Sequence, residues 1–141
     1  MVPLCRPYRG DDREALVSLW RVCDLTRPRN DPYRDIERKL SVDADNLLVL
    51  EDDDRLIGSV MVGYDGHRGW VNYLAVHPDH QRRGFGHLLM SEAEKRLQLL
   101  GCPKVNLQVR GSNQAAVEFY RRIGYTLDDV VSLGRRLIDD S

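Results

Sequence analysis

An α/β fold, with a central mixed and mostly antiparallel sheet flanked by helices, is predicted by three features of this sequence. Strand-length apolar runs follow one another from Asn46 to Val76, separated only by Asp- and Gly-rich turns, which is the pattern of an antiparallel meander. From Trp70 to Val109 the order becomes strand, glycine-spaced loop, amphipathic helix, strand, and a helical crossover joins parallel strands. Finally, 141 residues build one full core but not two, and no linker, repeat or low-complexity stretch divides them, so a single domain over residues 1–141 is expected.

Leu4 to Tyr8 reads as a short first strand. Asp11-x-x-Glu14 has the form of a capping box, opening a helix whose Ala15, Leu16, Leu19, Trp20 and Cys23 share one face. The stretch Asp24 to Asp31 is too polar and too Pro-broken to continue that helix. Asp31-Pro32 instead supplies the N-cap and first-turn pair of a second helix, which carries Ile36 and Leu40. Asn46 to Glu51 is a strand, Asp52-Asp53-Asp54 its turn, and Leu56 to Tyr64 the returning partner. Asp65 to Gly69 turns the chain into a third strand, which stops at Pro78. Beyond it Phe85, Leu89, Ala93, Leu97 and Leu100 recur at helical spacing until Gly101 ends the run. Val105 to Val109 is the parallel strand. Asn113 caps a helix with Ala116, Val117 and Tyr120 on its inner face and Gly124 at its end, and Tyr125 to Val131 with Ser132 to Leu137 are expected to form a last strand pair.

Most of the chemistry lies between Trp70 and His87, where an apolar strand stops at Pro78 and a basic, glycine-spaced loop opens a helix. Gly84 and Gly86 allow backbone conformations closed to residues with a Cβ, so successive N–H groups can converge on an anion at a helix N-terminus. Arg82 and Arg83 add positive charge, which suits a pyrophosphate better than a neutral ligand. On spacing alone an ordinary tight turn accounts for these residues equally well. Other phosphate motifs fit poorly: a dinucleotide fingerprint needs a third glycine where Leu89 stands, and no Gly-Lys-Ser/Thr follows for a P-loop.

Gln81-x-x-Gly84-x-Gly86, after a strand ending Leu74-Ala75-Val76-His77-Pro78, resembles the acetyl-coenzyme A signature of the GNAT family of N-acetyltransferases. Asn113, Tyr120 and Gly124-Tyr125 follow at the family's separation. The segments Cys23 to Pro32, Asp35 to Lys39 and Gly63 to Gly69 look like the small bacterial YpeA-type members. The resemblance covers nearly the whole chain and implies the GNAT fold, β-α-α-β-β-β-α-β-α-β-β, with acetyl-coenzyme A as co-substrate and no metal. It implies that backbone amides of Arg82, Arg83, Gly84, Phe85, Gly86 and His87 hold the pyrophosphate. It further implies that an N–H within Leu74-Ala75-Val76 bonds the acetyl carbonyl, that Asn113 touches the pantetheine arm, and that the Tyr120 hydroxyl meets the sulfur. A phenol of pKa ~10 can protonate a thiolate while staying neutral at pH 7, so Tyr120 is the expected general acid. Relatives that acetylate protein N-termini usually carry a glutamate where Gln108 stands, and Gln108 accepts no proton. The base is then a water chain held by Asn72, Tyr73 or Gln108, or none is needed.

His67 and Asp65 could reach a substrate, although a hairpin turn using Asp and Gly for its backbone shape is favoured. His77, Asp79 and His80 lack a fourth ligand for zinc. Acidic and basic residues nearly balance at net −1, so no global field favours nucleic acid, and the Arg82-Arg83 and Arg121-Arg122 pairs lack interleaved aromatics. Cys5, Cys23 and Cys102 are odd in number without Cys-x-x-Cys spacing, no apolar run reaches membrane length, and no signal-peptide core opens the chain; a soluble cytoplasmic protein is expected. The expected activity is transfer of acetyl to a primary amine of a small molecule or peptide. The alternative is a coenzyme A-binding sensor or adaptor without turnover. The acceptor is not legible, and the family's frequent dimers make a homodimer one assembly to test.

Overall fold

The computed structural model describes residues 2–141. Its elements are β1 (Leu4–Pro7), α1 (Arg13–Val22), α2 (Pro32–Asp43), β2 (Leu47–Asp52), β3 (Arg55–Tyr64), β4 (Gly69–Val76), α3 (Phe85–Leu99), β5 (Val105–Leu107) and α4 (Gln114–Arg122). The five strands lie in chain order β1-β2-β3-β4-β5, antiparallel through β4 and parallel between β4 and β5. This is the expected meander followed by a helical crossover. The β2–β3 turn has positive φ at both Asp53 and Asp54, as a two-residue hairpin requires.

Helices cover both faces of the sheet, which explains why β2 reads as an unbroken apolar run rather than an alternating one. Leu47 and Val49 pack with Leu16, Val17, Leu19, Trp20 and Ile36 of α1 and α2. Leu48 and Leu50 pack on the opposite face with Leu89, Met90, Ala93 and Leu97 of α3. Among the described residues no helix is long and apolar enough to cross a membrane.

Several local expectations are corrected. The chain enters α1 through a short 3₁₀ turn, and the carboxylate that closes it is Asp12, which accepts from the Arg9 N–H at 2.7 Å while paired to Arg6, rather than Asp11. Ala15 is exposed and Val17 takes its place in the core. Leu40 is 37% exposed, and beside it the Lys39 ammonium donates to the Val62 carbonyl. Leu100 sits outside the core at the end of α3, where Gly101, at φ 78, turns the chain away.

The expected strand pair over Tyr125 to Val131 and Ser132 to Leu137 is not formed. β5 is only three residues long and offers too short a template for further ladder pairing. The segment instead runs with Leu127, Val130, Val131, Leu133 and Leu137 exposed, tethered by polar side chains: Lys104 to Asp128 at 2.7 Å, Gln108 to Ser132, and Arg38 to Asp140.

Candidate active site

The site is organised by a fault in β4. Ser59 pairs with Ala75 but Met61 pairs with Asn72, so Tyr73 and Leu74 together face Val60 alone, and Tyr73 adopts φ 51. Such a bulge re-aims side chains and twists the strand. Buried groups hold it in place. The Trp20 Nε1–H donates to the Ser59 hydroxyl at 3.0 Å, that hydroxyl donates to the Tyr73 carbonyl at 2.8 Å, and the Trp20 and Tyr73 rings stack with centroids 3.7 Å apart. On its other edge β4 pairs with β5 only as far as Val71 and Leu107. Past that point the rest of β4, which includes Leu74, Ala75 and Val76, has no ladder partner on this edge among the described residues.

The chain leaves β4 through a 3₁₀ turn at Pro78–His80 and reaches the loop that opens α3. The Gln81 side chain anchors this loop by donating to the Val76 carbonyl at 3.1 Å. Arg82 and Gly84 both take positive φ, 65 and 81, and Gly84 is the N-cap without a side-chain cap. The first intrahelical bond runs from the Leu88 N–H to the Gly84 carbonyl, so the amides of Phe85, Gly86 and His87 have no helical acceptor. Arg82, Arg83 and His87 are exposed beside them. The result is a cluster of free donors with the positive end of the helix dipole behind it, a binding place for an anion. The two glycines differ in their reasons. A Cβ at Gly84 meets nothing within 4 Å, so its backbone angle is what demands glycine, whereas a Cβ at Gly86 would stand 3.0 Å from the Phe119 ring, so that glycine lets α4 approach α3.

α4 contributes the other wall. Asn113 is its N-cap, the side chain accepting from the Ala116 N–H at 3.1 Å, so this residue has a folding role beside the one implied for it. Tyr120 lies on the half-buried face, edge-on to Phe119 and Tyr125, and burial alone raises its pKa to about 12. Its proton is therefore retained throughout the physiological range. Gln108, just past β5, is exposed and donates to the Ser132 hydroxyl.

On the α1–α2 side the structure brings in a residue that sequence reasoning did not assign. Asp35 of α2 accepts from the Tyr73 hydroxyl at 2.6 Å and from the Asn30 amide, and pairs with Arg38 at 3.1 Å. Desolvation, reinforced by Asp35, pushes the Tyr73 phenol well above its ordinary pKa, so it stays protonated. A carboxylate thus stands one phenol away from the bulge. The only signal in the sequence was Asp35 within Asp-Ile-Glu-Arg-Lys, which nothing local distinguishes from a solvated helix face. Asn72 brings no such group. His67 and Asp65 behave as turn residues: Asp65 accepts from the His67 and Arg68 N–H groups at 2.8 and 2.7 Å, and these bonds hold its carboxyl below the usual range. His77 likewise accepts from the Asp79 N–H through Nδ1 at 3.1 Å.

Comparison with known proteins shows the family and the fold. The family model for the acetyltransferase (GNAT) family matches residues 13–125. An acetyltransferase, SG1711, of Sodalis glossinidius is 52% identical over 136 residues, 96% of each chain. Among solved structures, the PaiA N-acetyltransferase of Thermoplasma acidophilum in complex with coenzyme A superposes with a TM-score of 0.82 at 19% identity, covering 93% of this chain and 94% of that one. The ribosomal-protein-alanine N-acetyltransferase of Brucella melitensis biovar Abortus 2308 gives 0.77 at 19%, covering 96% and 100%.

Proposed function

Because the chain belongs to the acetyltransferase (GNAT) family, we propose that it transfers acetyl from acetyl-coenzyme A to a primary amine of a small molecule or peptide. The observation that carries this reading is the uncapped α3 N-terminus that follows β4, whose end has no ladder partner on the β5 edge. The residues implied by the family resemblance fit the coenzyme there. The amides of Arg82 to His87 suit a pyrophosphate, β4 at Leu74 to Val76 is unpaired on its β5 edge, and α4 carries Asn113 and Tyr120. The coenzyme bound to the PaiA enzyme of the same fold supports the assignment.

In this reading a thioester supplies the activated acetyl group, and the protein handles protons and charge. A backbone N–H of β4 donates to the carbonyl oxygen as negative charge develops on it. Tyr120 keeps its proton at neutral pH and donates it toward the departing sulfur. On the opposite side Asp35 accepts, through the Tyr73 hydroxyl, the proton that the amine loses. The non-catalytic alternative rested on the lack of a carboxylate, and Asp35 removes that support. Three unpaired cysteines suit a reducing cytoplasm, where we place the enzyme.

The test is release of free coenzyme A thiol with a panel of amines, alongside thermal stabilisation by coenzyme A. Stabilisation with acceptor-dependent thiol release is expected. Stabilisation without release by any amine would return the protein to the sensor reading.

A further inference from the structure

We propose that the arginine-lined depression at the N-terminus of α2 is a seat for a carboxylate carried by the acceptor, held in the resting molecule by the chain's own Asp140. This deepens the amine-transfer reading and rests on it. The depression, of about 560 Å³, is lined by residues that include Arg21, Arg27, Asn30, Asp31 and Asp140, and Arg34 and Arg38, outside this lining, reach it through Asp140. Although it belongs to the terminal segment, the Asp140 side chain is only 1% exposed. It accepts from the Asp31 N–H at 2.8 Å and from Arg38 in a two-pronged contact at 3.1 and 2.6 Å, and Arg34 stands 3.5 Å away. A backbone amide at a helix start, a guanidinium fork and a second arginine form a complete carboxylate receptor.

Two observations make the occupant exchangeable and the seat relevant to catalysis. The segment that delivers Asp140 has no ladder bonds to the sheet; Leu133 and Leu137 along it are 91% and 89% exposed. Its end is otherwise held by the Asp140 N–H and the Arg136 guanidinium on the Arg29 carbonyl and by Asp139 near Arg29. Apolar burial therefore contributes little to keeping it there. The seat is also wired to the reacting end of the site, since Arg38 pairs with Asp35 and Asp35 accepts from the Tyr73 hydroxyl. An amine at Tyr73 with a carboxylate a few bonds away, as in an amino acid or an acidic peptide, spans these two points.

The experiment uses two dipeptide amides, Ala-Glu-NH₂ and Ala-Gln-NH₂, which differ in charge but scarcely in size. Calorimetric binding to the full chain in the presence of coenzyme A is compared for the parent, Asp140→Ala and Asp140→Ala/Arg34→Gln, and thiol release is measured in parallel. With the tail carboxylate gone, Asp140→Ala should prefer the acidic dipeptide by about tenfold, the scale of a charge-assisted contact. The parent should show a smaller preference because its own Asp140 competes, and the double variant should lose part of it, since Arg38 and the Asp31 N–H remain. Equal affinity of the two dipeptides for Asp140→Ala overturns the seat, as does a preference unchanged by Arg34→Gln. Discrimination without thiol release keeps the seat and removes the transfer reading, whereas thiol release with equal KM for both dipeptides does the reverse.

Discussion

The two sides of β4 are built by different means. Toward α3 and α4 the site consists of backbone: two residues at positive φ, a glycine admitting a neighbouring ring, and helix amides with no acceptor. Toward α1 and α2 it consists of side chains joined across the sequence, with Tyr73 and Asp35 separated by 38 residues and Arg38 and Asp140 by 102. The first side is fixed by local conformation and presents donors to whatever anion arrives. The second is a chain of charges whose members hold one another. Variants on the first side should therefore act sharply and one at a time, and variants on the second should act through their neighbours.

The largest effect is expected at Gly84. Its Cβ would meet open space, so Gly84→Glu should leave the core intact while straining a φ of 81 and setting a negative charge among donors meant for an anion. Coenzyme A at 100 times its Kd stabilises a protein by about 2.7 kcal/mol, and that thermal shift should vanish. A parent-like shift would place the anion elsewhere. Next comes Tyr120→Phe, which keeps the ring against Phe119 and Tyr125 and removes only the hydroxyl. Turnover should fall by ~10² to 10⁴ with coenzyme affinity unchanged, and unchanged turnover would reduce Tyr120 to packing.

What the sequence revealed follows the same division. Glycines, prolines and turn- or cap-forming Asp and Asn act on the backbone next to them, so the α3 loop, the Asp53-Asp54 turn, the α2 start at Asp31-Pro32 and the α4 cap at Asn113 were all legible. Periodicity located the helices but misassigned face edges, as at Ala15 against Val17 and at Leu40, because a stripe does not reveal where the neighbouring element stops. The apolar alternation of Leu127 to Leu137 resembles a strand, but a strand needs a partner edge, and the three residues of β5 scarcely supply one. Asp35 was hidden for a related reason: its partner is a tyrosine on another element.

A smaller effect is expected at Gly86. A methyl group there would press on the Phe119 ring at 3.0 Å, and overpacking of this kind costs about 1–3 kcal/mol. Gly86→Ala should lower the melting temperature and, by pushing α4 from α3, weaken coenzyme binding less than Gly84→Glu does. Loss of binding without loss of stability would mean that Gly86 serves the ligand rather than the packing. The tail contact should respond to salt more than to mild acid. Asp140 is held at about 2, chiefly by Arg38, and a depressed carboxyl keeps its contribution above its unfolded value and loses it only as pH falls toward the folded one. Protease cleavage after Arg135 or Arg136 should therefore be no faster at pH 5 than at pH 7, and faster at 1 M salt, where the screening length is about 3 Å.

The smallest effect is expected at Gln108, and it separates the two sides most finely. If Gln108 were a vacated base position, Gln108→Glu would restore a proton acceptor and raise the rate on lysine-like amines. The side chain, however, is exposed and donates to Ser132, while the carboxylate beside Tyr73 is Asp35. Gln108→Glu should then change turnover by less than the ~10² that general base catalysis typically supplies, and Asp35→Asn should lower it by at least that much. In pH–rate profiles on two acceptors of different pKa, the rising limb of the parent should follow the acceptor, because the fraction of neutral amine limits attack and an α-amine of pKa ~8 supplies far more of it at neutral pH than a lysine side chain. Asp35→Asn should lower the plateau without making the limb independent of the acceptor. A limb near pH 6 to 7 in the parent, the same for both acceptors, would point instead to an imidazole such as His67 and would remove Asp35 from the proton path.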